Sequence, residues 1–224
     1  LTKMAATGES FEDALAQAQS LGYAEADPTA DVGGLDAAAK VAILASLAFH
    51  TRVTLDDVDV EGITEVTPGD VAAAEEMGYD IKLLAIAELI ESGGRSGVSV
   101  RVHPTLVPRT HPLAGVRDAF NAVFIEADAA GQVMFYGRGA GGEPTASAVL
   151  GDIVTAARNR VAGSTGPRDS SYAALPVLPL GAATTAYLVH LRVVDRPGVL
   201  ATVAGMFAER AASIRSLTQK GEGD

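Results

Sequence analysis

The sequence predicts an α+β fold in two parts. Three observations carry this: helix-patterned stretches and strand-like runs of branched residues both occur before residue 162, a Gly-, Ser- and Pro-rich break follows, and a strand, turn, helix and strand pattern begins beyond it.

Each element has a local reason. Residues 9–20, "ESFEDALAQAQS", place Phe11, Leu15 and Ala18 at helical spacing with acids early, and the helix ends near Gly22. Residues 35–49 carry apolar side chains on nearly every face, which predicts a helix buried all round. Residues 70–77 open on a capping-type Asp70 and form another short helix. "IKLLAIAELI" (81–90) and "VSVRVHPTLV" (98–107) read as strands, and "FNAVFIEAD" with "GQVMFYGRG" reads as a hairpin. Residues 144–161 form a helix with Pro144 in its first turn and a basic end. The stretch 163–183 is the best linker, separating a domain over 1–162 from a second over 184–224 that begins with a strand, a turn, a helix and another strand.

Composition narrows the function. A chain of 224 residues with 48% hydrophobic residues can bury a sizeable core. The formal charge of -11, without any cluster of Lys and Arg, argues against nucleic acid or an acidic membrane surface as partner. With no cysteine there is no disulfide and no thiolate chemistry. His50, His103, His111 and His190 form no H-x-x-x-H pair, so no structural metal is expected. There is no apolar run long enough to span a bilayer and no signal segment, which favours a cytoplasmic protein. Residue 1 is Leu and "LTQKGEGD" closes the chain in a turn-like stretch, so the sequence reads as a piece cut at both ends.

The stretch with most chemical content is "GYAEADPTADVGGLDAAAKVAILASLAF", residues 22–49. On a helix Asp36 and Lys40 meet at i and i+4. A solvated ion pair and a partly buried acid/base pair both fit that spacing; the apolar residues around them favour burial, which would lower the lysine's pKa while the aspartate opposes the shift. Asp27 before Pro28 is a turn signal, and Asp31 is placed to bond free amides near the helix start. Glu25 has no such local task, and an acid cluster beside a lysine could bind a substrate ammonium. "GRGAGGEPTASAV" (137–149) runs into a helix N-terminus suited to a phosphate or carboxylate, yet it does not meet the dinucleotide fingerprint. His103 and His111, in Pro-punctuated sequence, read as structural.

Taken together, "GYAEADPTADVGGLDAAAKVAIL", "VHPTLVPRTHPLAGVRDAFNAVF" and "GRGAGGEPTASAV" resemble the homoserine dehydrogenase family over essentially the whole chain. The tail "LRVVDRPGVLATVAGMFAERAASI" resembles the first strand, turn and helix of an ACT domain, a ferredoxin-like regulatory module of which about half is present. The resemblance implies helices packed on one face of a mixed β-sheet, followed by that partial module. It implies an NADP- or NAD-dependent interconversion of L-aspartate 4-semialdehyde and L-homoserine, in threonine, methionine and isoleucine biosynthesis. Lys40 would be the acid/base, Glu25 and Asp36 would hold the amino-acid substrate with Asp31 adding to the pocket, and Gly22 and Gly141 would approach the nicotinamide nucleotide through their backbones. A homodimer or homotetramer and a threonine effector at the ACT module are implied partners.

The family's Rossmann domain, with its glycine fingerprint, a second catalytic lysine and most cofactor contacts, has no counterpart before Leu1, nor do the usual sodium-binding residues. The isolated chain is therefore expected to be inactive. The alternative is a non-catalytic amino-acid sensor, which would keep ligand affinity and have no dehydrogenase activity to lose.

Overall fold

The computed structural model describes residues 1–139, 141–166 and 170–219. It divides into two compact units, Leu1–Ala183 and Thr184–Asp224.

The first unit is built on a long hairpin. Strands β2 (Tyr79–Ser92) and β3 (Arg95–Pro108) pair antiparallel along their whole length, turning at Gly93 and Gly94. A two-residue strand, β1 (Asp59–Val60), adds parallel to β3, so the sheet is mixed, in the order β1-β3-β2. Because strand side chains alternate, Val98, Val100 and Val102 share one face of the sheet with Leu83 and Ala87. That face receives helix α4 (Leu35–Phe49), whose Ala38, Val41, Ala42 and Ala45 complete the main core. The three valines are essentially inaccessible, and each such side chain contributes about 1.5–3 kcal/mol by leaving water.

Further helices close the same face. Helix α1 (Thr2–Thr7) contributes Met4 and α2 (Phe11–Ser20) contributes Ala14; with Val71 of α5 (Pro68–Glu76) they form a second cluster against Ile81 of β2. A short helix, α3 (Thr29–Val32), leads into α4. Helices on one face of a mixed sheet are the architecture the sequence implied. The opposite face is polar at its centre. Arg101, almost wholly buried, donates from Nη1 to Glu88 Oε1 (2.7 Å) and to Ser99 Oγ (3.0 Å).

Several expectations are corrected in detail. Helix α5 starts at Pro68 with Thr67 as its cap; Asp70 is the reciprocal member of the capping box, accepting from the Thr67 amide at 2.9 Å. Helix α4 is buried on one side only, because the sheet covers a single face: Ile43 and Leu47 are 62% and 63% exposed. The hairpin of β4 (Phe120–Ala127) and β5 (Gly131–Arg138) forms as expected, but as a separate two-stranded sheet. Helix α6 (Gly142–Val161) follows it and buries no residue.

The stretch expected to be a linker, 163–183, is laid against the first unit in its second half. Val177 bridges to Val98 in parallel, the Val98 N–H donates to the Pro176 carbonyl (2.9 Å) while the Val98 carbonyl accepts from the Leu178 N–H (2.8 Å), and Thr51 Oγ1 donates to the Leu175 carbonyl at 2.9 Å. His50, the left-handed residue ending α4, stacks on Tyr172 with ring centroids 4.5 Å apart. Alternating prolines and apolar residues suit an edge strand as well as a spacer.

In the second unit helix α7 (Val199–Glu209) forms where expected. The two flanking stretches expected to be strands form no ladder among the described residues. A strand exists through the backbone ladder it shares with a neighbour. Residues 220–224 of this module and 167–169 of the expected linker lie outside the described residues. No described helix is long and apolar enough to cross a membrane.

Candidate functional site

The site is assembled around the start of α4. Gly34, its N-cap, has φ +81°, and a Cβ there would come within 3.2 Å of Val102 and 3.3 Å of Val60. A glycine thus lets the head of α4 sit directly on β1 and β3 in a conformation other residues resist. The two turns that follow present Asp36 and Lys40, with Lys40 Nζ donating to Asp36 Oδ2 at 2.5 Å.

The predicted pair is therefore real, but its expected partial burial is not found. The side chains of Lys40 and Asp36 are 60% and 52% exposed. Both lie on the face of α4 turned away from the sheet, at the head of a stripe continued by Ile43 and Leu47. Asp36 in the first turn is also favoured by the helix dipole.

The other acids belong to the turn between α2 and α3. Asp31, half-buried, accepts the Glu25 backbone N–H at Oδ2 (3.1 Å), so it acts backwards on the turn and not on the start of α4. Glu25 itself is exposed, and its carboxylate makes no hydrogen bond or ion pair among the described residues. Asp27 accepts from the Thr29 hydroxyl (2.6 Å) and amide (3.1 Å), as a turn-forming residue should, and these bonds hold its carboxyl below its ordinary pKa. Among the described residues no hydrogen bond or ion pair joins Glu25 and Asp31 to Asp36 and Lys40.

The glycines named from sequence have local reasons. Gly22 adopts φ +71° where the chain leaves α2, with nothing near the position of a Cβ. Gly141 caps α6 at φ +130°, and among the described residues no side chain bonds the first free amides of that helix. Arg138, Glu143 and Ser147 line an open groove beside it. His111 accepts from the Leu113 amide and His103 bonds within its own strand.

Sequence reading missed Gln19. Its amide donates to the carbonyls of Glu25 (2.9 Å) and Ala26 (3.2 Å), a contact made only because the turn folds back on α2. Nothing in local spacing could have signalled it.

The family model described as homoserine dehydrogenase matches residues 1–154, and that of the ACT domain matches residues 187–224. The chain belongs to the homoserine dehydrogenase family. It is 61% identical to the homoserine dehydrogenase of Mycobacterium tuberculosis over 99% of this chain and 50% of that protein. Identity to the Corynebacterium glutamicum enzyme is 56%, over 100% of this chain and 51% of that one. Among solved structures, the homoserine dehydrogenase of Thiobacillus denitrificans matches with a TM-score of 0.85 at 41% identity, covering 98% of this chain and 51% of that chain. A hyperthermophilic archaeal homoserine dehydrogenase mutant in complex with NADPH matches with a TM-score of 0.53 at 31% identity, covering 70% of this chain and 43% of that one. The chain thus spans about half the length of the homoserine dehydrogenases it matches.

Proposed function

We propose that this chain is the substrate-binding and dimerisation half of a homoserine dehydrogenase, together with the beginning of its ACT module. The observation that carries the reading is the Lys40–Asp36 pair on the exposed face of α4, in a chain 61% identical to such enzymes over nearly all of its length. The whole enzyme reduces L-aspartate 4-semialdehyde to L-homoserine in the cytoplasm, and in the reverse direction oxidises it.

When bound, the nicotinamide cofactor, NADP or NAD, supplies or takes the hydride. The residues present fit only an edge of it: free amides at the head of α6 beside Gly141, and the open backbone of Gly22, with no dinucleotide-binding βαβ unit among the described residues. The chain's own residues do the rest. Glu25 draws the substrate ammonium by charge, and Asp31 and Asp36 add to that negative field. As negative charge develops on the carbonyl oxygen, the Lys40 ammonium delivers a proton to it; in reverse, the neutral amine accepts the hydroxyl proton. Asp36, bonded to Lys40 Nζ, orients the amine.

Two copies pair as a homodimer or higher assembly, and the ACT module takes threonine as effector. The 224-residue chain alone does not turn over. In the full-length enzyme Lys40→Met lowers kcat by about 10²–10⁴-fold, measured as NADP-dependent oxidation of L-homoserine. Turnover close to the parent's in that variant overturns the assignment.

A further inference from the structure

The proposed role of Glu25 raises a question that its exposed carboxylate does not answer: what holds it still? The turn from Gly22 to Pro28 has no regular structure, yet its backbone is tied down on both sides. The amides of Tyr23 and Ala24 return to the Ala18 carbonyl at 2.9 and 3.3 Å. Asp31 takes the Glu25 amide, and the two N–H groups of the Gln19 side chain reach the Glu25 and Ala26 carbonyls. Glu25 therefore has both of its backbone polar groups held by side chains from two different helices, while its own carboxylate stays free.

We propose that Gln19 is a positioning residue for Glu25. With Asp31 it forms a clamp that fixes the Glu25 backbone and aims an unpaired carboxylate, so that little ordering remains to be done when the substrate ammonium arrives. The clamp requires a hydrogen-bond donor at position 19, since a carboxylate there would face two carbonyl oxygens. This inference rests on Glu25 as the ammonium-binding residue, and the two can fail separately.

The test uses the full-length enzyme oxidising L-homoserine with NADP. Gln19→Met keeps length and removes the donor. It raises KM for L-homoserine about five- to twenty-fold, leaving KM for NADP unchanged and kcat within about two-fold. Combined with Glu25→Ala, it adds little to the KM defect of Glu25→Ala alone, because both act through one contact. Gln19→Lys, which keeps donors, restores most of the affinity. Gln19→Glu shows a KM defect that grows, relative to the parent, as pH rises through the carboxyl range, because only the protonated acid can donate.

An unchanged KM in Glu25→Ala overturns the role of Glu25. A raised KM there, with parental KM in Gln19→Met or simple additivity in the double variant, overturns the clamp alone. Should Gln19→Met fail to fold, the Gln19→Glu series decides: a KM parallel to the parent's at every pH overturns the clamp.

Discussion

Helices α4 and α6 are both plain in the sequence and differ in everything the fold does with them. Helix α4 buries Ala38, Val41, Ala42 and Ala45 against the sheet; α6 buries nothing, although Val149, Leu150, Ile153 and Val154 fall at helical spacing on a single stripe, each 47–61% exposed. Local pattern makes a helix, through caps, propensity and the absence of breakers. Whether its apolar stripe finds a partner is decided by residues far away in the chain. Every buried apolar residue named in the core lies between Met4 and Ala114.

The sharpest way to break that contrast is to shorten one side chain on each side of it. Val100→Ala, beneath α4, costs about 2–3 kcal/mol in urea unfolding of the 224-residue chain, as transfer and cavity terms add. Ile153→Ala on α6 changes stability by about 0.5 kcal/mol or less. Equal losses would mean that α6 is covered in solution and that the contrast does not hold there.

A smaller effect separates the sheet from the strap beside it. Thr51 is buried, and its hydroxyl holds the Leu175 carbonyl. Thr51→Val leaves that carbonyl without its donor and costs about 1–2 kcal/mol. The more direct reading is limited proteolysis: cleavage within 163–183 accelerates before the rest of the unit opens. Unchanged cleavage would show that Leu175, Val177 and the Val98 bridge hold the strap without Thr51.

How far the sequence could be read follows the same division between local and distant causes. The α+β class, α2, α4, α6, α7, the β4–β5 hairpin and the strand character of β2 and β3 were legible, because period, capping residues and turn glycines act within a few positions. Asp36 and Lys40 were legible as a pair for the same reason. Their exposure was not, since it depends on which face of α4 the sheet takes. The expected strands of the second unit form no ladder among the described residues, because strand propensity needs a neighbour. The strap and Gln19 were invisible, each depending on a contact that local periodicity does not encode.

Lys82, on β2, gives a pH test of partial burial. Its Nζ donates to the Val116 carbonyl at 2.6 Å, and burial lowers its pKa from 10.5, with Asp80 and Asp118 opposing the shift and Arg117 adding to it. The folded state thus holds the proton less tightly than the unfolded chain. The associated penalty is complete below the folded pKa and fades as pH rises from there through 10.5, so this group makes stability increase with pH in that window. Lys82→Met removes that increment from the pH profile of unfolding. A profile identical to the parent's would mean that Lys82 is as well solvated folded as unfolded.

The smallest expected effect on stability falls on the residue with the largest expected effect on catalysis. Lys40 and Asp36 are an exposed i, i+4 pair, so its loss removes only about 0.3–0.5 kcal/mol, largely screened by salt. Lys40→Met in the 224-residue chain therefore unfolds within about 0.5 kcal/mol of the parent, and still closer at high ionic strength. A loss of 2 kcal/mol or more, on the order of a broken buried pair, would place the ammonium inside the fold, and the catalytic defect could then be ascribed to misfolding. Near-parental stability beside lost turnover in the full-length enzyme assigns Lys40 to chemistry. The fold can dispense with it because α4 is anchored from its other face, by Gly34, Ala38, Val41 and Ala45.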